Sequence, residues 1–200
     1  LDTPEWPVVF LGCILAGVVP VAANTLLTGP EFDYMLRDSR AQGLVVSSAL
    51  LPLFEPLIGE AEHLCSVFVA GVEESAPNTT LAQCLRAQPA TKTVAPTCAD
   101  DICFWLYSSG STGSPKGTVH LHSHLVQTAE LYGRGVLGIV ESDVVYSAAK
   151  LFFAYGLGNG LTFPMSVGAT TDLLPGRPTP TEVFGVLKKY RPTIFYGVPT

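Results

Sequence analysis

Apolar and polar positions along the chain form blocks whose rhythm predicts strands and helices in alternation. Residues 43–47 (GLVVS) are a β-branched run typical of a short buried strand, and residues 63–70 predict the next strand. Between them, Ser47 or Ser48 is a cap residue that predicts a helix through Leu57. Strands that alternate with short helices build βα units, so the pattern predicts an α/β fold of mostly parallel sheets with flanking helices.

Three more helices are predicted from the residues that begin them. Thr3 followed by Pro4 predicts a helix whose run over residues 8–16 is apolar on every side, so we expect it to be fully enclosed. Residues 28–31 (TGPE) have the capping-box pattern of a second helix that ends near Ser39. The same pattern at residues 179–182 (TPTE) predicts a third helix late in the chain.

The regular rhythm is interrupted once, and this interruption predicts a division of the chain. Residues 73–96 are polar and irregular apart from a weak helix at 81–87. We therefore predict a first βα lobe at residues 1–72, a connecting segment at 73–100 and a second βα lobe at 101–200. The second lobe begins with an apolar strand at residues 102–107.

Composition narrows the class of protein and its partners. The 200 residues are 48% hydrophobic and 14% charged, which excludes a disordered chain. A soluble domain averages roughly 25% charged residues, so we expect further chain to cover part of this surface. The net charge of −6 and the lack of a basic run argue against nucleic acid as a partner. The longest apolar stretch is too short and too interrupted for a membrane span, and no signal peptide is recognisable.

Five scattered cysteines, an odd number with no CxxC pair, fit a reducing cytoplasm better than a disulfide framework. Cys13, Cys65 and Cys103 lie inside apolar runs, so we expect them to be buried as small hydrophobic side chains.

The clearest chemical signal is a run of glycine and hydroxyl residues that follows the strand at 102–107. Residues 107–117 read YSSGSTGSPKG, in which glycines expose backbone N–H groups, hydroxyls add donors and Lys116 adds a positive charge. An ordinary surface loop is the alternative, but this composition predicts a cradle for a polyphosphate. It is not the P-loop of common NTPases, which requires Gly-Lys-Ser/Thr. The predicted nucleotide-binding residues are Ser108, Ser109, Gly110, Ser111, Thr112, Gly113 and Lys116.

A second segment of interest combines aromatic and small residues at 152–156 (FFAYG). Aromatic walls with small residues between them suit a flat ring. From the residues alone, however, core packing is the favoured interpretation of two adjacent phenylalanines. Lys150, just before this segment, is expected to form a surface ion pair rather than a substrate contact.

Three histidines at alternate positions, His120, His122 and His124, raise an alternative of another class. If the strand continued through them, their imidazoles would share one face, and this spacing can bind Zn²⁺ in a metallohydrolase. No acidic residue or cysteine follows nearby to complete such a site. We therefore expect no metal there, and we expect His124 to cap the helix that follows.

The run at 107–117 resembles the phosphate loop of the adenylate-forming superfamily, which includes acyl-CoA synthetases, peptide-synthetase adenylation domains and luciferases. The usual form is Tyr/Phe-Thr-Ser-Gly-Ser/Thr-Thr-Gly-x-Pro-Lys-Gly, and this chain departs from it at Ser108, where threonine is common. Residues 10–20 resemble the upstream helix–strand element of that family. Residues 150–159 and 195–200 resemble its benzoate–CoA ligase branch.

The resemblance implies a two-step reaction with ATP, Mg²⁺ and coenzyme A. A carboxylate attacks the α-phosphorus of ATP to give an acyl-AMP, and a thiol then displaces AMP. Lys116 would be catalytic because it neutralises the departing pyrophosphate. With the resemblance, the small aromatic carboxylate is assigned to Phe153, Ala154, Tyr155 and Gly156.

The resemblance also implies that this is an internal part of a large N-terminal domain. The family's Tyr-Gly-x-Thr-Glu segment, ribose-binding aspartate, hinge and C-terminal lobe are not in the sequence, so we expect the 200 residues alone to be inactive. The whole protein is expected to be a cytoplasmic benzoate–CoA ligase of aromatic acid degradation. A hydroxybenzoate or other acyl-CoA ligase and a non-catalytic nucleotide-binding module are the alternatives.

Overall fold

Helices and short strands alternate along the chain, as the sequence pattern predicted. The computed structural model describes residues 1–74, 77–90, 93–108 and 115–198. The α-helices are α1 (Glu5–Leu15), α2 (Gly29–Ser39), α3 (Leu51–Ile58), α4 (Leu81–Ala87), α5 (His122–Thr128), α6 (Ala154–Leu157), α7 (Phe163–Val167) and α8 (Pro180–Tyr190). The strands are β1 (Val21–Ala22), β2 (Gly43–Ser47), β3 (Ser66–Ala70), β4 (Thr79–Thr80), β5 (Ile102–Ser108), β6 (Lys116–Leu121), β7 (Val144–Ser147), β8 (Thr170–Asp172) and β9 (Ile194–Tyr196).

The strands form three-stranded sheets in which the five pairings with a described register are parallel, which confirms the predicted α/β class of mostly parallel sheets. The strand orders are β1-β5-β6, β2-β3-β4 and β8-β7-β9. Parallel register is described for β1 with β5, for β2 and β4 with β3, and for β8 and β9 with β7. Helices or longer connections join these strands because parallel neighbours cannot be linked by a tight turn.

The described residues group into two compact units. One contains Leu1–Ala22, Pro96–Leu106 and the described residues from Val119 onward. Its main core lies around Phe10, Phe104, Leu151 and Phe152. The Phe10 and Phe104 rings pack in an edge-to-face arrangement with 5.4 Å between their centroids.

The other unit contains the described residues of Ala23–Ala95 and Tyr107–Thr118. Its core joins α2, α3 and β2 through Phe32, Leu36, Val46 and Phe54, and the Phe32 and Phe54 rings lie 4.4 Å apart. The chain thus enters this second unit at Ala23 and returns to it at Tyr107.

This grouping differs from the lobe boundaries drawn from the sequence. Leu1–Ala22 belong with the later part of the chain because β1 pairs with β5, with Val21 opposite Trp105. The lobes at residues 1–72 and 101–200, with their connection at 73–100, stay a prediction for the complete domain.

Two burial predictions were wrong in this chain. Helix α1 was expected to be enclosed on all sides, but Val8 and Leu15 are 51% and 52% exposed because only the side that carries Phe10 is buried. Cys103 is buried as expected, whereas Cys65 is exposed at the turn before β3, where its Sγ contacts the His63 carbonyl oxygen. All five cysteines lie within the described residues and are free thiols.

The cap signals located helices α2 and α8 correctly. The Glu31 carboxylate accepts the Thr28 backbone N–H at 2.8 Å, and the Thr179 hydroxyl accepts the Glu182 N–H at 3.4 Å. Within residues 1–74, 77–90, 93–108 and 115–198, no helix has the length and apolar character of a membrane span.

Candidate active site

The two described ends of the predicted phosphate loop lie on neighbouring strands. Ser108 is the last residue of β5 and Lys116 is the first of β6, and both are exposed. Strands β5 and β6 are hydrogen-bonded neighbours, so Ser108 and Lys116 flank the segment between them. The other predicted nucleotide-binding residues, Ser109, Gly110, Ser111, Thr112 and Gly113, lie outside the described residues.

The local structure at Lys116 separates this loop from the P-loop of common NTPases. In those proteins the lysine opens a helix whose N-terminus faces the phosphates. Here Lys116 opens a β-strand that runs to Leu121. A phosphate at this loop would therefore meet the lysine ammonium and loop donors without a helix dipole at the lysine.

Sequence reasoning missed Asp38, whose side chain contacts strand β5 just before the phosphate loop. The Tyr107 hydroxyl donates a hydrogen bond of 2.6 Å to the Asp38 carboxylate in the last turn of α2. Burial, with the Asp38 hydrogen bond second, raises the pKa of Tyr107, so the phenol stays protonated. The two residues are 69 positions apart, and no local pattern signals their contact.

The aromatic segment divides between core and surface. Phe152 is buried in the main core of its unit, whereas the adjacent Phe153 is 45% exposed, with 4.6 Å between their ring centroids. Ala154 and Tyr155 open helix α6 and are also exposed in this chain. The core interpretation therefore holds for Phe152, while Phe153, Ala154 and Tyr155 present an accessible surface.

Tyr155 lies against the end of strand β9. Its ring meets the Tyr196 ring edge-on at 6.4 Å, and its hydroxyl is 3.5 Å from the carbonyl oxygen of Gly197. Tyr196 is buried, and this burial raises the pKa of its phenol. The two segments that resemble the benzoate–CoA ligase branch, at 150–159 and 195–198, thus meet within one unit of the fold.

Gly156 is required by close packing of the backbone. It is buried, and a Cβ placed on it would lie 2.0 Å from the Lys150 carbonyl oxygen and 2.6 Å from that of Ala149. Real Cβ atoms essentially never approach a backbone oxygen below 3.0 Å. The glycine therefore lets α6 begin directly against the preceding turn.

Lys150 forms an ion pair, but a buried one rather than the expected surface pair. Its ammonium lies 3.9 Å from the Asp2 carboxylate, with side chains 14% and 8% exposed, and it also donates to the Leu174 carbonyl oxygen. The same carboxylate accepts the Leu151 N–H at 3.2 Å. Burial raises the pKa of Asp2 and lowers that of Lys150, in each case against the attraction of the partner.

The histidines do not share one strand face, because the chain turns into helix α5 at His122. His120 stacks on Phe104 at 4.5 Å, and burial lowers the pKa of its imidazole. His124 Nδ1 accepts the Leu121 N–H at 3.2 Å, so His124 caps the helix as expected. Within the described ranges, no group of three or more His, Cys, Asp or Glu side chains is placed to hold a metal.

Comparison with known proteins supplies the family. A family model described as AMP-binding enzyme matches residues 2–200. A benzoate–CoA ligase of Thauera aromatica is 58% identical over 200 residues, which cover 100% of this chain and 37% of that protein. The chain therefore spans less than two fifths of the length of this relative.

Solved structures agree in fold over the whole chain. A benzoate CoA ligase from Burkholderia xenovorans LB400 has a TM-score of 0.91 at 50% identity, covering 100% of this chain and 38% of that one. The anthranilate CoA ligase AuaEII in complex with anthranoyl-AMP has a TM-score of 0.95 at 41% identity, covering 98% of this chain and 38% of that one. The predicted resemblance to adenylate-forming enzymes is thus confirmed, and the chain belongs to the AMP-binding enzyme family.

Proposed function

We propose that the protein carrying this chain is an ATP-dependent ligase that converts benzoate, or a close aromatic acid, into its coenzyme A thioester. The observation that carries this proposal is the 58% identity to a benzoate–CoA ligase across the full 200 residues. The enzyme would work in the cytoplasm in the degradation of aromatic acids. A hydroxybenzoate or other acyl-CoA ligase remains the nearest alternative substrate class.

In the first half-reaction, an oxygen of the aromatic carboxylate attacks the α-phosphorus of ATP. The bond from that phosphorus to the bridging oxygen breaks, which releases pyrophosphate and leaves an acyl-AMP. Such transfers depend on positioning and on neutralising the developing negative charge. Lys116 would supply a positive charge to the departing pyrophosphate, and Ser108 with the loop residues 109–113 would donate hydrogen bonds to it.

Magnesium fits this chemistry as an ion held largely by the nucleotide. Mg²⁺ in proteins commonly binds substrate phosphates together with one or two carboxylates. In the described part of the chain, no three or more His, Cys, Asp or Glu side chains are grouped to hold a metal ion. We therefore propose that the phosphate oxygens of ATP provide most of the ligands of Mg²⁺ at this loop. The ion would add charge neutralisation on the pyrophosphate.

The aromatic acid would lie at the surface formed by Phe153, Ala154, Tyr155 and Gly156. Phe153 and Tyr155 supply exposed aromatic surface, and Ala154 between them leaves room for a flat ring. Tyr155 also carries a hydroxyl near the Gly197 carbonyl oxygen, a polar edge in an otherwise apolar surface. Gly156 would act indirectly, because its close backbone packing fixes the start of α6.

In the second half-reaction, the thiol of coenzyme A attacks the acyl carbon, and AMP departs as the thioester forms. We propose that residues outside these 200 bind coenzyme A and complete adenylation, so partners of this chain include the rest of its own protein. The isolated 200 residues should therefore release no pyrophosphate in response to benzoate. Release from that fragment alone would show that the site is more complete than proposed.

The test of substrate class is thioester formation by the intact protein with benzoate, 4-hydroxybenzoate, 2-aminobenzoate and octanoate. We expect the highest kcat/KM for benzoate, with substituted rings lower by roughly 10- to 100-fold, since one small group in an apolar pocket is worth about 1–3 kcal/mol. ATP binding without turnover of any acid would instead favour a nucleotide-binding module. A preference for octanoate would contradict the aromatic assignment.

A further inference from the structure

Helix α2 contacts the strand that leads into the phosphate loop through a side-chain hydrogen bond. Asp38 in its last turn accepts the hydrogen bond of the Tyr107 hydroxyl at 2.6 Å. Tyr107 directly precedes Ser108, the first residue assigned to the nucleotide. Both Asp38 and Tyr107 belong to the same compact unit, so their contact does not depend on how the two units are arranged.

The helix is a firm support for this contact. Phe32, Met35 and Leu36 bury its inner side, and Phe32 packs on Phe54 of α3. On its outer side, Arg37 Nε donates to both oxygens of Asp33 at 2.9 Å. Asp33 therefore pairs with Arg37, whereas Asp38 accepts the hydrogen bond of the Tyr107 hydroxyl.

The hydrogen bond is short and its acceptor is a carboxylate oxygen, and such bonds are stronger than those between neutral groups. The donor is half-buried, and its phenol stays protonated at neutral pH. Its effect falls on the end of β5, where a small displacement would move the adjacent Ser108, the first hydroxyl assigned to the phosphates. Misplacement of reacting groups by about 1 Å can lower a rate by roughly 100-fold.

We propose that Asp38 is a positioning residue for ATP: through Tyr107 it fixes the start of the phosphate loop on helix α2. This inference rests on the proposed function, since it assigns ATP to that loop. Asp38 does not touch the nucleotide, and its contribution passes through the tyrosine hydroxyl. It therefore acts on ATP binding and acyl-AMP formation, and leaves attack of the thiol on a preformed acyl-AMP unaffected.

The test is a double-mutant cycle in the intact protein with Tyr107→Phe, Asp38→Ala and the two combined. Each single variant should raise the Kd and KM for ATP about fivefold, the effect expected for losing one hydrogen bond. The combined variant should be no worse than either single one, because the same bond is lost. Thioester formation from supplied benzoyl-AMP and coenzyme A should stay within about twofold of the parent, whereas a general loss of folded protein would lower it in proportion.

Two further variants separate the hydrogen bond from charge. Asp38→Asn keeps an acceptor oxygen and should recover part of the loss, as a neutral acceptor is weaker than a carboxylate. Asp33→Ala removes a carboxylate from the same helix without touching Tyr107, so it should leave the Kd for ATP unchanged. If charge alone mattered, both Asp38 variants would bind ATP more tightly than the parent, and that result would overturn the proposal.

Additive effects of Tyr107→Phe and Asp38→Ala would also overturn the proposal, as would an unchanged Kd for ATP in both. Tyr107→Phe removes only a hydroxyl, so it decides the question if Asp38→Ala fails to fold. Calorimetric Kd values for ATP need no acid substrate. A parent protein that binds ATP but activates no aromatic acid would therefore refute the proposed function. The double-mutant cycle on the Kd for ATP would still show whether Asp38 positions the loop.

Discussion

Replacing Gly156 by alanine tests whether close packing at the start of α6 is as tight as the structure indicates. The new Cβ would lie 2.0 Å from the Lys150 carbonyl oxygen, so the backbone must separate by more than an ångström. The carbonyl oxygens of Lys150 and Ala149, which the new Cβ would meet, belong to the main chain and cannot rotate away as a flexible side chain can. Overpacking of this kind costs about 1–3 kcal/mol, and we expect the upper end of that range.

A matched control is available in helix α8, where Gly185 has nothing within 4 Å of the position of a new Cβ. Alanine is the better helix former by about 1 kcal/mol, so Gly185→Ala should leave the protein equally or more stable. The measurement is urea denaturation of the two intact variants and the parent, followed by circular dichroism. A lower free energy of unfolding for Gly156→Ala and an equal or higher one for Gly185→Ala would support the close backbone approach at Gly156.

Activity of the same variants separates the two roles considered for Gly156. If the glycine serves packing, any rise in the KM of Gly156→Ala for benzoate should come with reduced resistance to urea, because the displacement that strains α6 also moves Ala154 and Tyr155. A variant as stable as the parent would refute the close approach to Lys150. Normal stability with a much higher KM for benzoate would instead make Gly156 a wall of the acyl pocket.

Three more predictions concern stability and reactivity. Lys150→Met leaves the buried Asp2 carboxylate unpaired and should cost about 3 kcal/mol at neutral pH. Because the loss raises the pKa of Asp2 in the folded protein further, the folded variant takes up a proton before the unfolded chain does. The deficit should therefore shrink as pH falls from neutrality towards the unfolded-state pKa of about 3.9. Arg191 holds a left-handed conformation at the end of α8, so Arg191→Gly should stabilise the intact protein to urea by up to about 1 kcal/mol. Burial raises the pKa of Cys103 to about 11, so iodoacetamide at pH 8 should label it last among the five cysteines, as followed by mass spectrometry.

Each of these predictions has a contradictory outcome. A Lys150→Met deficit that stays constant between pH 4 and neutrality would mean that the carboxylate is solvated rather than buried. Destabilisation by Arg191→Gly would show that the arginine side chain contributes more than its backbone strain costs. Early labelling of Cys103 in the folded protein would refute its burial.

Local signals in the sequence predicted the elements that depend on neighbouring residues. The strand at 43–47 and the helices beginning after Thr28 and Thr179 lie where cap residues and apolar rhythm placed them. These elements are determined by interactions within a few residues, which a single sequence displays directly.

Contacts between distant residues could not be read in the same way. Lys150 pairs with Asp2, and the Tyr107 hydroxyl donates to Asp38. Neither pair leaves a periodic pattern in the sequence. The sequence grouped Phe152 with Phe153, although the turn into α6 sends one ring into the core and leaves the other exposed. The family resemblance identified the segment at 152–156, but its division between packing and accessible surface required the fold.

The most direct test of the account is benzoate-dependent ATP–pyrophosphate exchange by the intact protein carrying Lys116→Ala. If Lys116 neutralises the departing pyrophosphate, exchange should fall by at least about 100-fold, the usual cost of removing one charge-stabilising donor. The exposed Lys188 on α8 provides a control, since Lys188→Ala removes the same charge and should exchange at the parental rate. Parental exchange by Lys116→Ala would contradict the assignment of the loop at 108–117 to the phosphates of ATP.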